Sequence, residues 1–448
     1  MSADIVLTGR FEEDDRKRYV HLPLEVPHGI RQLHVRYSYN DQIDSDPLIT
    51  GGNTLDIGLF DERGTAPGSR GYRGWSGSEK LEFTVDEEWA TPPYQAGPIG
   101  AGTWHLMLGP YKVAPWGLDY RVEVTFNADR PREERIILRR GTPTRPSLPR
   151  AAQPGWVRGD LHCHTLFSDG DSWPAEMLHA AAEAGLDFLG VTDHNSVAHH
   201  PEYGPGGGAY PVVVPGVEVT TYHGHWNAWG TARWCEFREP TDAGVSSAMR
   251  EAAEAGAFVS VCHPKPFGPP WDYEDIRGFP AIEVWNGPWD RLNAASLGFW
   301  ESRLCAGERI VALGGSDTHQ LRAEHHAKLG SPTTWVWLDG HVDAPSILAA
   351  LRRGESFVSA SPSGPQLYLA RNGDDACIRA VDGFGAFVAL VADGIVVAGE
   401  AIATRDAEIA LRIPRDARYV RAQLVDGRGN VLALTNPLWT RSDRPFRY

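Results

Sequence analysis

A repeat of helix and strand between Gly155 and Ser361 constrains the fold more than any other feature of the sequence. Each unit has an Ala-rich segment typical of a helix, then a glycine, then an apolar run typical of a buried strand. The pairs are DSWPAEMLHAAAEAG before DFLGVTDH, SSAMREAAEAG before AFVSVCHP, and APSILAALRRG before ESFVS. Strands that alternate with helices form parallel βα units. We therefore expect an α/β fold for residues 155–361, organised as a closed or partly closed βα barrel.

Strands dominate the sequence on both sides of this region. Residues 1–130 hold about six to eight short segments rich in β-branched and aromatic residues, which predicts a β-sandwich. The Arg-, Pro- and Ser-rich stretch 131–154 is predicted as a linker, although its segment RIILRR could instead close the sandwich. Residues 362–448 return to strands and predict a small all-β domain.

Histidine, aspartate and glutamate residues stand where the apolar strands of the middle region end. They follow the segments GWVRGDL, FLGV, VVVPGV, FVSV and IVALGG. These residues are His162, His164, Asp193, His194, Glu218, His263, Asp317 and His319. In a βα barrel the active site lies at the carboxyl ends of the strands. Five strands are therefore expected to bring imidazoles and carboxylates to one rim.

Several imidazoles and carboxylates at one place carry a large electrostatic cost unless their charge is compensated. Divalent cations compensate it, because neutral imidazole and carboxylate bind them directly, and this donor set suits Zn²⁺, Mn²⁺ or Fe²⁺. Cys163 lies between His162 and His164, and in an extended segment its side chain faces away from theirs, so we do not count it as a ligand. Each motif alone is weak evidence. The ordered set predicts a metal site.

The motifs resemble those of the PHP (polymerase and histidinol phosphatase) superfamily, whose members combine a distorted βα barrel with two or three divalent metals. The matching segments are GDLHCHTLFSDG, GLDFLGVTDHN, PGVEVTT, GHWNAWG, VCHP and GGSDTH. The resemblance covers about residues 155–361 and is nearest to the carbaryl-hydrolase-like branch of metallohydrolases. It implies a distorted PHP-type βα barrel followed by the small C-terminal all-β domain, whereas the N-terminal β-sandwich lies outside the resemblance.

The resemblance also implies three metal positions. The first would be held by His162, His164, Glu218 and Asp317. Glu218 would bridge to a second metal on His225 and His263, and we choose His225 over His223 because it precedes the strand-like WNAWG. Asp169, His194 and His319 would hold a third. Histidinol-phosphatase-type members have a histidine where Asp169 stands, so a centre with only two metals stays open.

The predicted function is that of a metal-dependent phosphoesterase, acting on small phosphomonoesters or phosphodiesters through a metal-bridging hydroxide. The alternative is a carboxyl- or carbamate-ester hydrolase that uses the same metals, and a non-catalytic metal-binding scaffold is a third reading. Glu218 and Asp317 are the expected catalytic metal ligands. Lys265 and Arg322 are candidates for holding the anionic oxygens of the substrate.

Further residues near the motifs have candidate roles. The aspartate of the TDH motif, Asp193, is expected to orient a ligand histidine. The candidates for protonating a leaving group are His223, His325 and His326. Those for lining a pocket are Trp226, Trp271, Trp285, Trp289 and Asn286, although the tryptophans suit the core equally well.

The net charge and the cysteine content limit the classes of partner and the cell compartment that we expect. The net charge of −15 repels nucleic acid, so the expected partner is a small ester molecule. No apolar stretch approaches the roughly 18 residues of a membrane span, and the first residues lack the apolar core of a secretory signal. Five scattered cysteines without a CxxC pair favour a reducing cytosol. The oligomeric state is not predicted.

Overall fold

Strands make up most of the protein. The computed structural model describes residues 3–132, 146, 148, 150–203, 211–266, 268–323 and 327–441, which form 25 strands, four α-helices and two short 3₁₀ helices. This confirms an α/β chain rich in strands and poor in helices. The segment RIILRR, His325 and His326 lie outside the described residues. None of the described helices has the length and apolarity that a membrane crossing requires.

The N-terminal β unit comprises the first eight strands, which form two four-stranded sheets. The strands are β1 (Ile5–Phe11), β2 (Val20–Val26), β3 (Gln32–Tyr39), β4 (Thr54–Phe60), β5 (Tyr72–Gly77), β6 (Glu82–Asp86), β7 (Gly102–Lys112) and β8 (Leu118–Phe126). Their orders are β1-β8-β3-β6 and β2-β7-β4-β5. Leu33, Val35, Leu59 and Leu106 contribute to one core between the two sheets. In β8 the buried Val122 and Val124 alternate with more exposed residues, as expected for a strand with one face on that core.

The middle region holds nine strands and the four helices. The strands are β9 (Trp156–Asp160), β10 (Phe188–Val191), β11 (Val212–Thr221), β12 (Gly224–Trp229), β13 (Phe258–Val261), β14 (Ala281–Asn286), β15 (Val311–Gly315), β16 (Thr333–Trp337) and β17 (Ser356–Ser359). The helices are α1 (Pro174–Glu183), α2 (Asp242–Glu254), α3 (Asn293–Cys305) and α4 (Ala344–Arg352). β9, β10 and β11 pair in parallel, as do β13, β14 and β15.

An antiparallel hairpin interrupts the parallel order. β11 pairs antiparallel with β12, and β12 pairs antiparallel with β13. Thr221 pairs with Gly224, so only two residues, Tyr222 and His223, form the turn. A parallel connection needs a dozen or more residues, and two residues permit only a hairpin. The expectation of consecutive parallel βα units is therefore wrong at this point, and it is wrong again at β16, which pairs antiparallel with both β9 and β17. Closure into a barrel stays a prediction.

The C-terminal strands continue the sheet of the middle region. They are β18 (Gln366–Asn372), β19 (Asp375–Val381), β20 (Phe387–Ala392), β21 (Ile395–Ala401), β22 (Asp406–Arg412), β23 (Tyr419–Val425), β24 (Val431–Thr435) and β25 (Leu438–Trp439). β24 pairs with β17, so β24, β23, β20 and β21 extend the large sheet, while β18, β19 and β22 form a separate one. The domain limits at residues 130, 154 and 361 stay predictions.

Candidate metal centre

The predicted metal ligands meet at one edge of the large sheet. Most lie within β11 and β12 or directly after β9, β10, β13 and β15, while Asp169 lies in the loop between β9 and α1. His162 and His164 follow β9, and their Nε2 atoms lie 3.1 Å apart. Between them the Cys163 side chain points the other way and donates its S–H to the Gly190 carbonyl at 3.4 Å. The alternation of an extended segment thus places both imidazoles, and not the thiol, at the site.

Four donor atoms surround the first candidate position, which we call cluster 1: His162 Nε2, His164 Nε2, Glu218 Oε2 and Asp317 Oδ1. The two histidine nitrogens lie 3.2 and 3.3 Å from the Glu218 oxygen, and 3.4 and 3.1 Å from the Asp317 oxygen. Donors held about 2.0–2.1 Å from a tetrahedrally coordinated ion lie about 3.3–3.4 Å from one another. The spacing therefore fits a divalent ion bound by all four atoms.

Two oxygens of cluster 1 have no hydrogen-bond partner among the described residues. They are Glu218 Oε2 and Asp317 Oδ1, both buried. An unsatisfied buried carboxylate oxygen is costly, and a cation is the partner that such an oxygen lacks. The donor chemistry and the unpaired oxygens both fit a metal ion.

The pKa values of the residues in cluster 1 also fit a bound metal ion. Burial opposes ionisation of Glu218, but His162, His194 and His225 hold the pKa of its carboxyl well below the usual range. Burial, with His319 and His194 nearby, lowers the pKa of His164 to about 4. Burial would also lower the pKa of His162, yet the surrounding carboxylates, Glu283 foremost, raise it. A divalent ion would take the place of the protons that these carboxylates attract.

The second oxygen of Glu218 faces a different pair of histidines, which form cluster 2 with it. Glu218 Oε1 lies 3.0 Å from His225 Nδ1 and 3.2 Å from His263 Nε2. His223 is instead about one-third exposed and lies 3.3 Å from Asp272. Glu218 therefore has the position of a carboxylate that bridges two clusters, and His225 rather than His223 belongs to the site.

Cluster 3 comprises Asp169, His194 and His319. Asp169 Oδ1 lies 3.6 Å from His194 Nε2 and 3.4 Å from His319 Nε2. His194 also approaches Glu218 Oε2 through Nδ1, at 2.9 Å, but its Nε2 faces Asp169 and so belongs to this cluster. The side chain of Asp169 is 38% exposed against 1% for Glu218, so this cluster is the most open to solvent.

Glu283 supports the site although the sequence analysis did not identify it. It accepts a hydrogen bond from His162 Nδ1 at 3.0 Å and from the His263 backbone N–H at 3.2 Å. Asn286 Nδ2 donates to both Glu283 and Asp317, at 3.0 and 3.2 Å. A carboxylate behind a ligand imidazole fixes its tautomer and its orientation. The signal in the sequence is an acidic residue inside the apolar strand AIEVWN.

Asp193 contacts His164 through a hydroxyl. It accepts hydrogen bonds from the backbone and side chain of Thr165 and from Ser168 Oγ, each at 2.7 Å. Ser168 Oγ in turn lies 3.4 Å from His164 Nδ1. This arrangement leaves His164 Nε2 facing cluster 1.

Strained backbone occurs at two of the ligands. His263 and Asp317 have φ values of +29° and +54°, in the left-handed region that non-glycine residues rarely adopt. Such strain costs about 1–3 kcal/mol per residue and is concentrated at functional sites. It aims His263 at Glu218, and Asp317 at His162 and His164.

The two cations predicted to hold the substrate have other partners. Lys265 is buried and donates to the Asn286 carbonyl at 2.8 Å and to Asn293 Oδ1 at 3.1 Å. Arg322 donates to Glu176 at 2.9 Å, so its guanidinium is bound to a carboxylate. Among the described residues neither lines the cavity at the clusters, whereas Arg291 does.

A cavity of ≈ 1330 Å³ opens onto the clusters. Its walls include Asp169, Glu218, Asn286 and His319, and also residues of the N-terminal β unit. The latter include Lys17, Asp56, Trp75, Glu79 and Tyr111. None of Trp226, Trp271, Trp285 and Trp289 appears among the described residues of the wall, and Trp226 and Trp285 belong to the core. The aromatic residues of the described wall are therefore Trp75 and Tyr111 of the N-terminal β unit and Tyr222 of the β11–β12 turn, none of which was predicted from the sequence.

The family model described as the PHP domain matches residues 160–255, which include six of the nine predicted ligands. Two 5'-3' exoribonucleases are similar over short segments. The Salmonella typhimurium protein Rnm is 38% identical over 65 residues, and that of Haemophilus influenzae is 35% identical over 63. Each match covers 14% of this chain and less than a quarter of the relative, 22% and 23% respectively.

Among solved structures, a two-domain Bacteroides vulgatus protein containing a predicted PHP-like metal-dependent phosphoesterase is similar to this chain. The two share 18% sequence identity, with a TM-score of 0.35. The match covers 67% of this chain and 99% of that one.

Proposed function

We propose that the protein is a metal-dependent phosphoesterase that hydrolyses small phosphomonoesters or phosphodiesters. The observation that carries the proposal is the position of Glu218. One of its oxygens faces His225 and His263, and the other faces His162 and His164. A carboxylate shared in this way would hold two ions close together, and two-metal phosphatases and nucleases use ions about 3.5–4 Å apart. The PHP domain at residues 160–255 supports the proposal.

Two to three divalent ions, Zn²⁺, Mn²⁺ or Fe²⁺, suit the donor atoms. Cluster 1 would hold one ion through His162, His164, Glu218 and Asp317. Cluster 2 would hold a second through Glu218, His225 and His263. Cluster 3 would hold a third through Asp169, His194 and His319. Such ions, when bound, lower the pKa of water and polarise the phosphoryl oxygens.

The chain itself orients the ligands and the substrate. Glu283 fixes the ring of His162, and Ser168 with Asp193 fixes that of His164. In this proposal Arg291, on the cavity wall, replaces Arg322 as the cation that holds an anionic oxygen of the substrate.

The similarity to two exoribonucleases favours phosphoester chemistry, because exoribonucleases cleave phosphodiester bonds. The net charge of −15 argues against a polynucleotide as the partner. Together these observations favour small phosphoesters.

The second candidate is a carboxyl- or carbamate-ester hydrolase of the carbaryl-hydrolase-like branch, using the same metal centre. The observation that favours it is the pair of aromatic residues, Trp75 and Tyr111, on the cavity wall. Aromatic side chains of this kind suit an aryl ester.

An ester panel separates the two candidates. Metal-loaded protein is incubated with bis(p-nitrophenyl) phosphate, p-nitrophenyl phosphate and 1-naphthyl acetate, and its metal content is measured on the same sample. We expect turnover of a phosphoester by protein that holds at least two ions per chain. Turnover of the naphthyl ester alone would replace the first candidate with the second.

Two variants test whether the clusters carry the activity. Glu218→Gln and Asp317→Asn remove charged ligands of cluster 1, and both are expected to abolish turnover. Glu254→Gln, at the exposed end of α2, is the matched control and should keep full activity. Unchanged activity in both ligand variants would overturn the metal mechanism, whereas a wild-type protein that binds metal but turns over no ester would support the reading of a non-catalytic scaffold.

A further inference from the structure

The turn between β11 and β12 links the metal centre to the N-terminal β unit. Glu218 lies on β11 and His225 on β12, and Tyr222 occupies the turn between them. The Tyr222 hydroxyl donates to Asp56 Oδ2, on β4, at 2.8 Å. Its ring stacks on Tyr19 at 4.9 Å and on Tyr111 at 5.3 Å between centroids. A residue four positions from Glu218 is therefore held by the other unit.

The Asp56 carboxylate is buried, with only 5% of the residue exposed. A buried carboxyl group without a hydrogen bond is costly, so its bond with Tyr222 is expected to persist. Burial raises the pKa of Asp56 to about 7 even though the Tyr222 bond lowers it. Tyr222 is the side-chain donor to this carboxylate in the described part of the chain.

Gly109, on β7, makes the room that Tyr222 occupies. A methyl group added at Gly109 would lie 2.0 Å from the Tyr222 hydroxyl and 3.3 Å from the Tyr19 ring. The φ of Gly109 is not in the positive range, so space rather than backbone conformation requires glycine there. The β4–β7 pair therefore forms a socket that fits one side chain of the hairpin.

Other hydrogen bonds hold the β11–β12 hairpin and the segment after β10 against the N-terminal β unit. Lys17 Nζ donates to the Tyr222 carbonyl at 3.1 Å. The Tyr72 hydroxyl donates to the carbonyl of Asn195, the residue after His194, at 2.7 Å. Asn195 in turn exchanges two hydrogen bonds of 2.9 Å with the backbone of Thr220 on β11. The N-terminal β unit thus fixes the backbone beside three predicted ligands.

The two units also share one hydrophobic core. Its members from the N-terminal β unit and from the hairpin are Phe60, Tyr72, Trp75, Met107, Val217, Val219 and Trp226. Because protein interiors are close-packed, a shift of the N-terminal β unit would displace β11 and β12.

We propose that Asp56, Gly109 and Tyr222 are positioning residues of the metal centre. Through them the N-terminal β unit sets the place of Glu218 and His225 relative to His263, and so sets the affinity of cluster 2 for its ion. Cluster 1 depends on this contact less, because His162, His164 and Asp317 come from other strands. The inference rests on the proposed function, since it requires that the clusters bind metal.

The test measures stepwise metal binding rather than activity. Apo-protein is titrated with Mn²⁺ or Zn²⁺ against a chelating dye, and the binding of Co²⁺ is followed by its absorption spectrum. For Tyr222→Phe and Gly109→Ala we expect one metal equivalent to bind at least about 10-fold more weakly, as is typical when a residue behind the ligands is lost. The other equivalents should bind as in the wild type.

A conservative variant at the proposed contact and a control variant elsewhere separate positioning from general damage. Asp56→Asn keeps an acceptor for the Tyr222 hydroxyl and should retain the wild-type affinities. Tyr368→Phe removes a buried, hydrogen-bonded hydroxyl from the C-terminal β18 and should also leave them unchanged. Thermal melting of each apo-protein shows whether the variants are folded. If Gly109→Ala does not fold, the metal affinities of Tyr222→Phe alone decide between positioning and general damage.

Unchanged affinities in Tyr222→Phe, with a wild type that binds metal, would overturn this inference and leave the proposed function standing. Equal weakening of every equivalent would also overturn it, because that pattern means general destabilisation. A wild-type protein that binds no divalent ion would overturn the proposed function itself.

Discussion

His162 Nδ1 donates a hydrogen bond to Glu283 Oε1 at 3.0 Å, and this bond determines which nitrogen of His162 faces the metal centre. With one proton held on Nδ1, Nε2 is the nitrogen that faces Glu218 and Asp317 and that would bind an ion. Glu283 also accepts from the backbone of His263, so one carboxylate orients ligands of clusters 1 and 2.

Replacing Glu283 tests this role. Glu283→Gln keeps the size of the side chain but removes the charge that favours the imidazole tautomer. We expect metal affinity or kcat/KM to fall about 10–100-fold. Chelator titration and steady-state kinetics on the same preparation measure both. Glu408→Gln, exposed on β22, is the control; if both variants match the wild type, Glu283 has no part in orienting His162.

Metal binding should raise thermal stability. The unpaired oxygens of Glu218 and Asp317 gain a partner when an ion binds, and a ligand at 100 times its Kd stabilises the folded state by about 2.7 kcal/mol. Melting curves with and without Mn²⁺ or Zn²⁺ measure the shift, and Glu218→Gln should show a much smaller one. An identical shift in that variant would mean that the ions bind elsewhere.

Asp169→Asn should remove the third ion and leave the other two. Asp169 is the carboxylate of cluster 3 and has no contact with Glu218 Oε1, which serves cluster 2. We expect metal analysis after dialysis to find one ion fewer per chain than in the wild type. Asp416→Asn, on the exposed surface, should not change the number. If wild type and Asp169→Asn both hold two ions, cluster 3 is empty in the native protein.

The buried Asp56 makes stability fall as pH rises. Its pKa is raised to about 7 in the folded state, from 3.8 when exposed, so the folded protein binds the proton more tightly. The stabilisation is complete below about pH 4 and is lost as the pH passes 7. Between pH 5 and 8 this group removes roughly 2–3 kcal/mol from the free energy of unfolding.

Urea unfolding of apo-protein at pH 5 and pH 8 measures this loss. Asp56→Asn does not titrate, so the difference between wild type and variant isolates the contribution of Asp56 from that of the histidines. Between pH 5 and pH 8 we expect the free energy of unfolding of the variant to fall by roughly 2–3 kcal/mol less than that of the wild type. Parallel pH profiles would show that Asp56 titrates normally.

The proximity of the strand-end residues was predictable from the sequence because their spacing is local. His162 and His164 are one residue apart on an extended segment, and His194 and Asp317 directly follow apolar runs. Their approach follows from a general property of parallel sheets, whose carboxyl ends share one edge. All nine predicted ligands lie in the three clusters.

The remaining contacts depend on pairing between distant segments. Glu283 meets His162 across 121 residues, and Tyr222 meets Asp56 across 166. Arg322 pairs with Glu176 rather than facing the substrate, and no local pattern distinguishes the two outcomes. The β11–β12 hairpin could in principle have been predicted from the sequence, because only two residues separate Thr221 from its pairing partner Gly224.

The pairing of β17 with β24 makes the C-terminal strands indispensable to the region that holds the ligands. Val358 pairs with Leu434 there, and β17 pairs in turn with β16, which pairs with β9, the strand that leads to His162. A fragment that stops at residue 361 would present β17 as a bare, apolar edge open to aggregation. We therefore expect that recombination between relatives has to carry β9, β16, β17 and β24 together, because a one-residue slip of β24 against β17 would turn its buried residues to the opposite face.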